Sequence, residues 1–231
     1  MTTRWSLVVA AADAEHVDAK PALAELCQAY WAPLYEYARR RGHSPADAAD
    51  LTQGFFAELL DKNFLRSVDQ DRGRFRTFLL TAFQRYSCND FDRQQTQKRG
   101  GGIQLISLDA EQSESHLQSQ IAETMTPEAI FERRWAMTLL SRVLDLLRQE
   151  MSDRGRNDIF EMCRDCLLGE PSQSYALVSE SLGMTESAMK VAVHRMRQRY
   201  RDLLLQEVSQ TLTSADDLND EIQHLLRVVQ G

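Results

Sequence analysis

The stretch "LGMTESAMKVAVHRMRQRYRDLL", Leu182 to Leu204, decides the fold of the C-terminal part of the chain. Gly183 marks a sharp turn, because glycine enters left-handed backbone conformations that a Cβ disfavours. Thr185 caps a helix that follows it. At about 100° per residue, Ala188, Met189, Ala192, Val193, Met196, Tyr200 and Leu203 gather on one arc, which should face inward. The opposite arc carries Ser187, Lys190, Val191, His194, Arg197 and Arg201. Just upstream, "SYALVSES" (Ser174 to Ser181) reads as a short helix. Apolar Val178, Leu182 and Met184, with small Ser179, Gly183 and Ala188 near the crossing, suit two helices packed across a short turn. An outward stripe of small polar, apolar and basic groups fits the major groove of DNA. Thr185, Ser187, Lys190, Val191 and His194 would approach base edges, and Arg195, Arg197 and Arg201 would meet phosphates.

That basic helix sits in an acidic chain. The 231 residues hold 34 acids against 27 bases, a net charge of −7. Thr185 to Arg201 nevertheless has five bases and one acid, and Arg72 to Arg99 has seven bases and two acids. Two basic islands in an acidic body imply two contacts with a polyanion and a remainder that repels it or meets a basic partner.

Composition bounds the rest. With 43% hydrophobic residues the chain can build ordinary cores in one or two domains. Apolar residues recur at three and four with no period-two alternation, so the predicted class is all-α. The apolar run Leu7 to Ala12 is too short to cross a membrane and no signal-peptide pattern precedes it, so a cytoplasmic protein without membrane insertion is expected. Four cysteines do not make a disulfide framework.

Helical patterning runs from Pro21 to Arg41, with Pro33 expected to break or kink it. A second helix starts at Ser44-Pro45, a cap followed by proline at the first helical position, and runs to about Asp61. A third spans roughly Arg74 to Gln97. Residues 100–127 open on glycines and turn polar and acidic, which predicts a flexible interdomain linker. Helices resume at Pro127-Glu128. A last amphipathic stretch puts Leu218, Ile222, Leu225, Leu226 and Val229 on one face, with Ser214 and Asp217 as a capping pair. It should pack on the second domain, or else inhibit the protein or bind a regulator.

Three motifs in order carry a resemblance. "SYALVSESLGMTESAMKVAVHRMRQRYRDLL" (Ser174 to Leu204) resembles the C-terminal DNA-binding domain of bacterial RNA polymerase sigma factors of the extracytoplasmic-function group, with Ser179 where Ala and Met189 where Val are usual. "DLTQGFFAELL" (Asp50 to Leu60) is similar to that family's clamp-binding helix, and "GRFRTFLLTAFQRYSCNDFDRQQTQKR" (Gly73 to Arg99) to its helix that melts and reads the −10 element. The resemblance implies two helical domains joined by the linker. Residues 1–99 would bind the polymerase clamp and −10 DNA, residues 128–208 would read −35 DNA through a helix-turn-helix and bind the polymerase β flap, and 209–231 form a C-terminal extension. It implies core RNA polymerase and promoter DNA as partners, an anti-sigma protein or a kinase as regulator, and transcription initiation without catalysis.

Residue types fit those roles. Asp47, Asp50, Glu58 and Asp61 lie within about 80° on one helix, a stripe that would dock on a basic coiled coil of the β′ clamp together with Leu51, Gln53 and Phe56. In the −10 helix, Arg76, Arg85, Arg93, Lys98 and Arg99 would hold backbone, while Phe75, Phe78, Phe83, Tyr86 and Phe91 interleave as core or stacking faces. Thr52, inside the clamp motif, is a phosphorylation position on sequence grounds. Cys163 and Cys166 have CxxC spacing but no second pair or nearby histidine, so helical core outweighs metal or redox sensing; no metal, cofactor or catalytic residue is expected. The competing assignment is a helix-turn-helix regulator of the response-regulator effector type, which leaves the clamp motif and the first island unexplained.

Overall fold

The computed structural model describes residue 8 and residues 19–61, 74–96, 125–168, 175–212 and 217–230. Among them the chain is all-α: α1 (Ala19–Arg40), α2 (Pro45–Asp61), α3 (Phe75–Thr96), α4 (Pro127–Asp153), α5 (Asn157–Cys163), α6 (Asp165–Leu168), α7 (Tyr175–Ser181), α8 (Glu186–Ser209) and α9 (Leu218–Gln230). The all-α expectation holds. No helix among the described residues is long and apolar enough to cross a membrane.

Local chemistry sets the ends. The Ser44 hydroxyl oxygen accepts the Asp47 N–H at 3.2 Å and its O–H donates to the Asp47 carboxylate at 2.6 Å, with Pro45 at the first helical position of α2. Thr126 caps α4 in the same way, accepting from the Ala129 N–H at 3.2 Å ahead of Pro127. Pro33 lies inside α1, which the chain forms as one helix, so the expected break is absent. Pro33, Leu34, Tyr35 and Tyr37 are all buried there, and that burial outweighs the lost backbone hydrogen bond. The expected linker up to residue 124 and the Ser214 cap lie outside the described residues.

Two compact units divide the chain: residues 1–139 with 208–231, and residues 140–207. The first therefore takes in residues 128–139 and the C-terminal helix, which the sequence had assigned elsewhere. The reason is side-chain chemistry. Ile130, Phe131 and Trp135 of α4 are buried, and the Phe131 ring stacks on Tyr30 of α1 at 6.5 Å between centroids. Phe75 of α3 meets Tyr30 edge-on at 5.7 Å, and Phe83 meets Phe55 of α2 at 5.2 Å.

An ionic cluster ties three helices of this unit together. Arg76 of α3 is 3% exposed, its guanidinium stacked 4.2 Å from the Trp135 ring and paired with Glu132 of α4 at 2.9 Å. It also pairs with Glu221 of α9, which is fully buried and takes a second ion pair from Arg74 at 2.7 Å. His224 of α9 lies 3.1 Å from the Glu132 carboxylate. Burial alone would lower the Arg76 pKa, but Glu132 and Glu221 outweigh it and hold the guanidinium above its usual value. The same site pushes the buried Tyr30 phenol far above its ordinary value, chiefly through desolvation.

Removing one partner of such a cluster strands a buried charge. Glu221→Ala is expected to lower unfolding free energy by about 3–5 kcal/mol, and truncation after Gln210 by at least as much. Urea unfolding of the three proteins checks this; a loss under ~1 kcal/mol for Glu221→Ala would show that α9 is not held by its carboxylate.

Candidate functional site

In the second unit, α7 ends where the sequence places the turn. Gly183 has φ 62°, its N–H donates to Glu180 O at 3.2 Å, and the Met184 N–H reaches back to Ser179 O at 2.9 Å. This paired closure needs a left-handed residue after the helix, which is why glycine stands there. Thr185 then accepts the Ala188 N–H on its hydroxyl oxygen at 3.2 Å and starts α8. Thr185, expected to face DNA, is thus the exposed cap of the helix.

The faces of α8 separate as its spacing predicts. Met189, Val193, Met196, Tyr200 and Leu203 are buried, whereas Ala188 is exposed at the open end. Burial pushes the Tyr200 phenol up to about 12. Ser187, Lys190, Val191, His194, Arg195, Arg197 and Arg201 are all exposed. Val191 is 47% exposed. Lys190 forms an ion pair with Glu186 one turn back at 2.6 Å.

Not every arginine of this island faces outward. Arg199 turns to α4, donating to both Glu150 carboxylate oxygens at 2.8 and 2.5 Å. Arg142 of α4 likewise reaches Glu207 of α8 at 2.8 Å, so within this unit the two helices run antiparallel. Hydrogen bonding from Arg199 holds the Glu150 carboxyl below its usual value against a smaller opposing effect of desolvation.

Beside the first half of α8 opens a cavity of about 720 Å³, floored by apolar Leu147, Ile159 and Met196. Ser187, Val191 and Arg195 form one wall, and Arg154 and Arg156, from the turn after α4, stand on its lining too. Those two arginines were missed from sequence because they lie in a short turn, "SDRGRND" (Ser152 to Asp158), outside both counted islands. An Arg-Gly-Arg turn was the available signal.

In the first unit α2 presents Asp47, Asp50 and Gln53 to solvent and keeps Glu58 half-buried. Leu51 and Phe56, expected at the polymerase surface, are buried and serve the core. Thr52 is also fully buried, its hydroxyl donating to Ala48 O at 2.7 Å, so the folded helix offers no hydroxyl to a kinase. Both corrections have one cause: this segment has apolar or small residues on more than half its circumference, and the stripe packs on α1 and α3 neighbours.

Of the residues expected to hold −10 DNA, Arg85 is exposed at a cleft of about 200 Å³ that it shares with Glu58, Tyr86 and Asn89. Arg76 is the correction. Its guanidinium is committed inside the unit to Glu132, Glu221 and Trp135 and does not reach the surface. Arg93 belongs to α3 but its side chain is not described, and Lys98, Arg99 and the side chain of Phe91 also lie outside the described residues. Phe75 and Phe83 are core, and Phe78 and Tyr86 are half-buried in ring contacts with Phe75 and Phe55. Cys163 is buried with its Sγ 3.6 Å from Met189 Sδ, helical core as expected, while the Cys166 side chain lies outside the described residues. Among the described residues no group of three His, Cys, Asp or Glu could hold a metal ion.

The family model described as ECF sigma factor matches residues 18–154, more than half of the chain. No curated protein and no solved structure matches it.

The Glu150–Arg199 pair has a pH signature. A carboxyl whose folded pKa is depressed contributes stability that is complete above its unfolded value, about 4.3, and that disappears as pH falls through the folded one. Wild type should exceed Arg199→Ala by no more than ~1 kcal/mol near neutral pH, since both groups are partly exposed, and the difference should shrink in acid. Urea melts over acidic pH check it; a difference independent of pH would deny the pair its role.

Proposed function

The chain belongs to the ECF sigma factor family, and on that footing we propose that it binds core RNA polymerase and directs it to promoters by engaging −10 and −35 DNA. Sigma factors of this family serve transcription initiation and have no catalytic step of their own. The observation that carries the DNA-reading half is the outward face of α8, where Ser187, Lys190, Val191, His194, Arg197 and Arg201 stand exposed around a helix pinned by its buried face. An α-helix fits the major groove, short polar and apolar groups near its N-terminus reach base edges, and arginines further along neutralise phosphates.

On the polymerase side, Asp47, Asp50 and Gln53 on the exposed stripe of α2, with Glu58 at its edge, form the dock for a basic coiled coil of the β′ clamp. Leu51 and Phe56 act one step back, fixing the helix that presents the stripe. Arg85, with Arg93, Lys98 and Arg99, would hold −10 DNA, while Arg76 serves the interior of the unit. The second unit would also meet the β flap, and the place of work is the cytoplasm, where polymerase is. The acidic remainder of the chain weakens, without abolishing, non-specific duplex binding by the free factor.

Pull-down of core RNA polymerase at moderate salt, comparing wild type with Asp50→Arg, tests the assignment. Asp50 is exposed, so the substitution should leave folding intact and abolish or strongly weaken retention. Failure of wild type to bind polymerase while duplex DNA binding persists would favour a helix-turn-helix regulator instead.

A further inference from the structure

We propose that Arg154 and Arg156, in the turn between α4 and α5, are a second phosphate grip for the duplex read by α8, placed across the cavity from that helix. The proposal rests on the DNA-reading role given to α8 above. The turn is built for display. Gly155 has φ 65°, its N–H donates to Ser152 O at 2.9 Å, and the Arg156 N–H donates to Met151 O at 2.8 Å. A left-handed glycine between two arginines ends α4 abruptly and leaves both side chains exposed.

Those arginines line the same concavity as Ser187, Val191 and Arg195 of α8. Its charge is lopsided. Glu150 is the carboxylate on the lining, and it is bound to Arg199 at 2.5 Å and lies 4.0 Å from Arg154 at the far limit of an ion pair. Arg154, Arg156 and Arg195 therefore meet an approaching ligand as a cationic rim over an apolar floor. When a helix lies in a major groove, the sugar-phosphate strands run along both sides of it, and groups on a neighbouring wall meet phosphate rather than base edges. Two long guanidinium side chains with freedom to adjust are suited to that contact and carry no sequence information.

Salt dependence distinguishes this role from others. Full-length wild type and Arg154→Gln/Arg156→Gln are titrated onto a short random-sequence duplex by fluorescence anisotropy at several salt concentrations, with poly(dA-dT) and poly(dG-dC) as competitors. Each phosphate contact contributes about 0.9 to the slope of log affinity against log salt, so the double variant should bind more weakly at every salt with the slope reduced by about 2. The preference between competitors should be unchanged. An unaltered slope and affinity, or a changed preference, would overturn the phosphate assignment. A parallel Lys190→Ala/Arg197→Ala variant separates the two claims: if it weakens binding and the turn variant does not, the turn proposal alone falls. If wild type binds no duplex, or neither variant matters, the DNA-reading role of the second unit falls and this proposal with it.

Discussion

A guanidinium buried to 3% exposure must be neutralised where it stands, and the first unit is organised around that requirement at Arg76. Its two carboxylates come from Glu132 in α4 and Glu221 in α9, 56 and 145 residues away along the chain. Trp135 closes the face of the guanidinium and Arg74 completes the charge on Glu221. Burying these charges costs much of what their attraction returns, so the cluster adds less to net stability than an apolar core of equal volume would. What it imposes is pairing. A slip of α9 by one residue would strand a carboxylate and leave Arg76 half-compensated, an outcome far costlier than a slipped leucine. The aromatic contacts of Tyr30, Phe75 and Phe131 fill the volume, and the ions fix which helix faces which.

The second unit solves a different problem, holding one helix in place while leaving most of its polar face exposed. Met189, Val193, Met196 and Tyr200 anchor α8 from beneath, and two ion pairs, Arg142 with Glu207 and Arg199 with Glu150, align it against α4. The Gly183 turn and the Thr185 cap set where the helix begins. With its start and its rotation both determined, the exposed residues project from a fixed platform. A site on a rigid element positions its side chains more closely than one on a loop.

Charge is allocated differently in the two units. In an otherwise acidic chain, α8 carries exposed arginines and a lysine, which is the charge the proposed DNA contact would use. The first island spends part of its charge internally, on Glu221 and Glu132, so its sequence count overstates what reaches solvent. On α2 the arrangement is reversed: Asp47 and Asp50 are outside and the apolar Leu51, Phe55, Phe56 and Leu59 are within.

Much of this was legible from the sequence because it is local. The helical class, the caps at Ser44 and Thr185, the turn at Gly183 and the two faces of α8 follow from periodicity and from hydrogen bonds within a few residues, and the structure repeats them. At Pro33 the helix continues without a break, because the local cost is outweighed by the burial around it. Three matters were decided by tertiary structure alone. Arg76 looked like any arginine of a basic island until partners distant in sequence enclosed it. The C-terminal helix showed an apolar face in its pattern, and Leu225 of that face is buried, yet so is Glu221, a charge that no hydrophobic periodicity would select. Arg154 and Arg156 came to line the same concavity as α8 only when folding set their turn there. In each case the deciding interaction spans tens of residues, and a linear pattern records only what neighbours along the chain do to one another.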